Sequence, residues 1–232
     1  MTGMDKMMFD YSLYLVTDRT LSLGRSNFEI IEAAIAGGAT IVQLREKQLN
    51  ARDFYGEGLK IRDFLKTRRI PFIINDRIDI ALALDADGVH IGQDDLPLDV
   101  ARKTLGRAKI IGVSVRSADE ARAAEAGGAD YLGLSPIFVT ATKPELTSQI
   151  GIEGIPPIRQ AVSIPLVGIG SMNETNAYDA VSAGLDGVAV VSGIVSQKDI
   201  ASAARRIKKE VMRAKGLYLN GVAPGELTGD RP

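Results

Sequence analysis

A chain of 232 residues, 45% hydrophobic and 25% charged, carries enough apolar material for a full core, as one α/β domain or two small ones. Its formal net charge of −1 gives no support for a nucleic-acid binder or a polybasic membrane surface. The absence of cysteine excludes disulfides, thiolate zinc sites and cysteine nucleophiles, and a single histidine excludes paired-histidine metal sites.

Residues 1–10 carry acids and lack an apolar h-region, so they do not read as a signal peptide. No apolar run approaches the roughly 20 residues needed to span a bilayer, and a soluble cytoplasmic protein is the default expectation. Short apolar runs then alternate with longer amphipathic segments. Strands are expected at 13–17, 40–45, 71–75, 88–91, 110–114, 131–135, 166–170 and 187–191. Helices are expected at 28–36, 51–66, 78–84, 98–105, 118–126, 155–160, 174–183 and 200–213, with N-caps at Asn27, Asn50, Ser117 and Asn173.

About eight βα units in roughly 215 residues is the arithmetic of a compact (βα)8 TIM barrel, one domain over residues 1–215. Residues 216–232, glycine-rich with scattered proline, are expected to be a frayed tail. The alternative, a doubly wound open sheet, lacks its glycine fingerprint after the first strand. A weak internal repeat favours the barrel: similar helix-stop turns precede every second strand, at Ala36 to Ala39, Leu84 to Gly88, Ala126 to Asp130 and Ala183 to Gly187.

In a barrel, function sits where strands end, and the polar residues gather there. On the second strand, Gln43, Arg45 and Lys47 share one face while Val42, Leu44 and Glu46 take the other. Two neighbouring cations need a partner. That partner is an anion with several oxygens, such as a pyrophosphate, or a carboxylate such as Glu46. After strands 3 and 4 come Asn75-Asp76-Arg77 and Gly92-Gln93-Asp94-Asp95. Asp76 and Asp95 suit a shared Mg²⁺ completed by substrate oxygens, or else helix N-capping, the role preferred for Asp94. His90, on strand 4, reads as a packed residue with a satisfied hydrogen bond rather than a triad base.

After strand 6, a long loop from Ile137 to Gly151 carries Thr140, Thr142 and Lys143, as a lid over a phosphorylated substrate or as a solvated loop. Gly168-Ile169-Gly170-Ser171 and Val191-Ser192-Gly193 fall where barrels build phosphate sites, in the last two βα loops.

Taken in order, Gln43 to Lys47, Asn75 to Arg77, Gly88 to Asp95, Gly112 to Ser114 and Thr140 to Lys143 resemble the successive motifs of the thiamine-phosphate synthase family. The resemblance runs from about Tyr14 to Val211. It implies a (βα)8 enzyme that joins hydroxymethylpyrimidine pyrophosphate to a thiazole phosphate with Mg²⁺, by a dissociative substitution that releases pyrophosphate. It implies that Gln43, Arg45, Lys47 and Asn75 bind the pyrimidine pyrophosphate, that Asp76 and Asp95 hold Mg²⁺, and that Ser114 and Lys143 act on the pyrophosphate. Thr140, Thr142, Gly170, Ser171, Val191 and Ser192 would hold the thiazole phosphate. Its partners are then these small molecules, with no nucleic acid or membrane, and a homo-oligomer is compatible.

The chain departs from the pattern at three places. Arg116 stands where the family carries a histidine two residues after Ser114, Ser135 precedes the strand-6 proline in place of glycine, and Gly170-Ser171 replaces paired glycines. A related thiazole tautomerase is the rival reading, but it relies on that missing histidine, and arginine cannot serve as a base at neutral pH. A non-catalytic phosphate-ligand-binding barrel is the other alternative, and the intact aspartate pair argues against it.

Overall fold

The computed structural model describes residues 9–139 and 149–217. The elements are β1 (Leu13–Val16), α1 (Asn27–Ala36), β2 (Ile41–Leu44), α2 (Ala51–Arg68), β3 (Phe72–Asn75), α3 (Ile78–Leu84), β4 (Gly88–Ile91) and α4 (Leu98–Leu105). There follow β5 (Ile110–Val115), α5 (Ala118–Ala126), β6 (Tyr131–Leu134), α6 (Ile155–Ala161), β7 (Leu166–Gly168), α7 (Ala177–Ser182), β8 (Gly187–Val190), α8 (Ser192–Val195) and α9 (Ile200–Ala214). The strands form a closed parallel barrel in chain order, and β8 returns to β1 with Leu13 opposite Val188. Thr140, Thr142, Lys143 and the expected tail beyond Leu217 lie outside the described residues. No helix among the described residues is long and apolar enough to cross a membrane.

Strand alternation divides the core in two. Tyr14, Val16, Ile41, Ile73, Ile110, Tyr131, Val167 and Ala189 fill the barrel interior. Leu13, Leu15, Val42, Leu44, Ile74 and Val89 face outward onto the helices. On α2, Phe54, Gly58, Ile61 and Leu65 are buried at spacings of three and four, so one stripe meets the barrel. Fully burying each large side chain there contributes about 1.5–3 kcal/mol. Asn50 starts this helix by accepting from Asp53 N at 3.0 Å. A Cβ at Gly58 would stand 2.4 Å from Leu84 Cδ1, so the missing side chain sets how closely α2 approaches α3.

The repeat seen in the turns is a device that closes the bottom of the barrel. Asp87, Asp130 and Asp186 precede β4, β6 and β8. Their Oδ2 atoms accept from Phe72 N, Ile111 N and Leu166 N on the preceding strands, each at 2.8 Å. Their own N–H groups donate to the carbonyls of those same residues at 2.8–2.9 Å. Before β2, Thr40 does the same with Leu13, its Oγ1 accepting from Leu13 N at 3.1 Å. Each clamp satisfies backbone groups at the strand entrance. Gly38, Gly128 and Gly184 give the left-handed turn ahead of three clamps, and Asp85 takes that conformation ahead of the fourth.

Two expected caps are corrected. Ser26, not Asn27, caps α1, through a reciprocal capping box with Glu29, and Asn27 becomes the first helical residue, turned inward. Helix α7 starts at Ala177 rather than 174, because Asn173 and Asn176 hold the intervening residues in turns. Asn173 Oδ1 accepts from Thr175 N at 2.8 Å, and Asn176 Oδ1 from Asn173 N at 2.9 Å. Residues after β8 expected as a loop form the short helix α8.

Candidate active site

The strand ends surround one cavity that opens at the C-terminal mouth. Gln43, Arg45, Asn75, Ser114, Gly170, Ser171, Val191 and Ser192 all line it. Eight residues carried on five βα units thus meet at one place, as alternation and strand-end position require. Lys47, Asp76 and Asp95 stand on its β2–β4 rim.

On that rim both cations have carboxylate partners. Arg45 Nη1 donates to Asp18 Oδ2 at 2.7 Å, in a largely buried pair, and Lys47 Nζ is ion-paired to Asp76. The partner of Arg45 is therefore Asp18 in the loop after β1, and Glu46 faces the other way. There Glu46 accepts from Arg19 Nε at 3.1 Å and from Asn27 Nδ2 at 2.5 Å. Neighbouring residues 18 and 19 thus grip neighbouring residues 45 and 46 with opposite polarity. Arg45 keeps further guanidinium donors on the cavity side, since one donor of five meets Asp18.

Asp76 and Asp95 approach closely enough for their side chains to hydrogen-bond, and burial together with the neighbouring Asp76 pushes the Asp95 carboxyl above its usual range. Asp95 Oδ2 also accepts from Gly92 N at 2.7 Å, which fixes the carboxylate at the end of β4. Asp76 adopts a left-handed backbone at φ 59°, and its N–H donates to His90 O at 2.9 Å. Non-glycine residues in that region cost energy, and such strain gathers at functional positions. Neither aspartate caps a helix: α3 starts from Arg77 and α4 from Pro97, both without a side-chain cap bond.

Among the described residues, the opposite wall, from β6 to β8, is neutral. Gly170 is held at φ +112°, and a Cβ there would stand 2.8 Å from Pro136 Cβ and 2.9 Å from Phe138 O. Gly193 is confined likewise, 2.6 Å from Met172 O. Ser171, left-handed at φ 49°, turns its hydroxyl onto Val139 O at 2.6 Å, so its side chain is tied to the β6 loop. Ser135 is buried and lines the cavity. Arg116 is exposed and is not among the lining residues, and its N–H donates to Glu120 Oε2 at 2.7 Å. Arg25 braces α8 from the loop after β1, donating to Val195 O at 2.8 Å and Gln197 O at 2.7 Å.

The feet of the loop carrying Thr140, Thr142 and Lys143 are joined beside this wall, with Ile150 N donating to Pro136 O and Gly151 N to Ile137 O, each at 2.9 Å. The three residues themselves lie outside the described residues. Nothing in the sequence singles out Asp18 or Arg25, and Asn27 stands there only as a helix cap, because their partners are 19 to 172 residues away.

Residues 13–194 match the family model described as thiamine monophosphate synthase. The chain is 52% identical to the thiamine-phosphate synthase of Chloroflexus aurantiacus over 199 residues, covering 86% of this chain and 92% of that protein. It is 51% identical to the thiamine-phosphate synthase of Moorella thermoacetica over 209 residues, 90% of this chain and all of the other. Among solved structures, the thiamine phosphate pyrophosphorylase of Pyrococcus furiosus superposes with a TM-score of 0.81 at 38% identity, covering 88% of this chain and 97% of that one.

Proposed function

We propose, from the premise that the chain belongs to the thiamine monophosphate synthase family, that its barrel mouth is a transferase site making thiamine phosphate. The substrates would be 4-amino-5-hydroxymethyl-2-methylpyrimidine pyrophosphate and 4-methyl-5-(2-phosphoethyl)thiazole or its carboxylate form. The carbon–oxygen bond to pyrophosphate breaks, and the thiazole nitrogen takes the pyrimidine methylene carbon. The observation that carries this reading is the polarity of the mouth: ionic groups on the β2–β4 rim face a neutral, glycine-built wall at β7–β8.

Each wall suits one anion. Arg45 and Lys47 offer charge-assisted donors to the leaving pyrophosphate, and Asn75 and Gln43 offer amides to the pyrimidine. Gly170, Ser171, Val191 and Ser192 suit the thiazole phosphate, because small residues let backbone N–H groups approach its oxygens. Lys143, Thr140 and Thr142, on the loop between, would complete the two anion sites.

Asp76 and Asp95 would hold Mg²⁺. Two carboxylates pressed together, with one of them raised in pKa by burial and by the other, form a hard oxygen pair that favours a cation. Among the described residues no three acidic or histidine side chains are placed to hold a metal ion together, so oxygen atoms of substrate and water would complete the shell. Bound there, Mg²⁺ supplies charge neutralisation to the departing pyrophosphate. Lys47 orients Asp76 through their ion pair, and Gly92 orients Asp95.

The test is a coupling assay on the purified full chain with both substrates, with Mg²⁺ and with EDTA, reading thiamine phosphate after oxidation to its fluorescent form. Metal-dependent product is expected. Proton exchange on a thiazole carboxylate without coupling would replace this reading by the tautomerase. Thermal stabilisation by phosphate ligands without turnover would leave a binding barrel.

A further inference from the structure

Five side chains from five strands form one hydrogen-bonded line across the floor of the cavity. Gln43 Nε2 donates to Tyr14 Oη at 2.9 Å, and Tyr14 Oη lies 2.8 Å from Tyr131 Oη. Tyr131 Oη lies 2.9 Å from His90 Nδ1, and His90 Nε2 lies 2.9 Å from Ser114 Oγ. Space is cleared for the two central rings. A Cβ on Gly112 would stand 2.0 Å from Tyr131 Cζ, and one on Gly133 would stand 2.9 Å from His90 Cε1.

The direction of this line follows from its first member. An amide NH₂ only donates, so Tyr14 accepts from Gln43. Tyr14 and Tyr131 are each 1% exposed, and a buried hydroxyl proton takes a partner, so Tyr14 donates to Tyr131. Tyr131 in turn donates to His90 Nδ1. Burial pushes both phenols up in pKa, so they keep their protons. The imidazole proton is left on Nε2, where it is donated to Ser114 Oγ. The proton of Ser114 is then directed away from His90, toward the cavity that Ser114 lines. The opposite direction would give a serine donating to a histidine base, the first two members of a hydrolytic triad.

We infer that Tyr14, Tyr131 and His90 are positioning residues that fix His90 as its neutral Nε2–H tautomer and present Ser114 as a hydrogen-bond donor. Identifying the acceptor as an oxygen of the pyrimidine pyrophosphate rests on the reading under Proposed function; the tautomer does not. Such a serine stabilises negative charge developing on a leaving group and is not a nucleophile.

His90 is the only histidine, so a full-length chain carrying no histidine tag and labelled with ¹⁵N-histidine gives one imidazole to observe. At neutral pH, Nδ1 is expected at a pyridine-type shift and Nε2 at a pyrrole-type shift. The reverse pattern, or two protonated nitrogens, overturns the relay. Tyr131→Phe removes the central hydroxyl and leaves the ring in the recess made by Gly112. It should mix the two tautomers and lower kcat about tenfold to a hundredfold, the loss of one charge-directed hydrogen bond. The affinity for thiazole phosphate should hold. Unchanged shifts in a folded Tyr131→Phe protein also overturn the relay. The expected shifts in a chain that makes no thiamine phosphate would sink the synthase reading and keep the relay. Active protein with the reverse tautomer would do the opposite.

Discussion

The two ends of this barrel are built on opposite plans. At the bottom, four clamps repeat one design, in which a residue before an even-numbered strand exchanges two hydrogen bonds with the strand before it. At the top, among the described residues, the loops differ: one wall is ionic, the other is made of glycine and small polar residues, and a strained Asp76 sits between β3 and α3. Repetition serves a task each βα unit shares, the start of a strand. The chemistry is shared by all eight units together, so each loop contributes something different. Stability and turnover should therefore separate on mutation.

The largest effect on turnover is expected from Asp95→Asn. Losing one preorganised group that acts on developing charge costs about 10²–10³ in rate. Burial and Asp76 raise the native pKa of Asp95, so the ionised carboxylate costs stability at neutral pH, and the amide relieves that cost. The melting temperature without metal should hold or rise, and Mg²⁺ should no longer raise it. A less stable variant that still couples its substrates would end the separation.

Arg45→Lys comes next. It keeps a charge for Asp18 but loses the planar fork, and kcat/KM should fall about tenfold to a hundredfold. Gly170→Ala acts on the neutral wall by bulk. With a Cβ forced to 2.8 Å from Pro136 at a left-handed φ, KM for thiazole phosphate should rise about tenfold while kcat stays within about twofold. Steady-state kinetics with each substrate varied in turn would distinguish the two walls.

Asp130→Ala tests the bottom. It removes the acceptor of Ile111 N and a partner of Arg102 at 2.5 Å, so urea unfolding should show a loss of about 1–3 kcal/mol. Turnover at 25 °C should stay within about twofold of the parent. The smallest effect is expected from Arg116→His. Because Arg116 is exposed and outside the cavity lining, turnover should be unchanged and no tautomerase activity should appear. Proton exchange into a thiazole carboxylate by that variant would mean the loop can swing into the mouth.

What the sequence made legible follows the range of the forces involved. Strand alternation and helix periodicity are local, and all eight strands fell within two residues of where they were expected. Helix α8 escaped because four residues are too few to display a period. Gln43, Arg45 and Ser114 stood out as polar groups at strand ends. Tyr14 and Tyr131 looked like ordinary core aromatics, and only the closed barrel brings their hydroxyls to 2.8 Å across 117 residues. His90, expected from the sequence as a packed residue with a satisfied hydrogen bond, has both ring nitrogens engaged in the structure.

Arg25 gives the mouth an order of assembly. Its guanidinium reaches carbonyls 170 and 172 residues further along the chain, and β1 likewise waits for β8. A chain made from its N-terminus can form the Asp18–Arg45 pair, 27 residues apart, while most of the barrel is still unmade. The proposed seat for thiazole phosphate exists only once Val195 and Gln197 have emerged and the ring has shut. Binding of that ligand to a nascent chain would thus report finished synthesis, and a ribosome stalled before α8 would display an ionic rim with nothing opposite it.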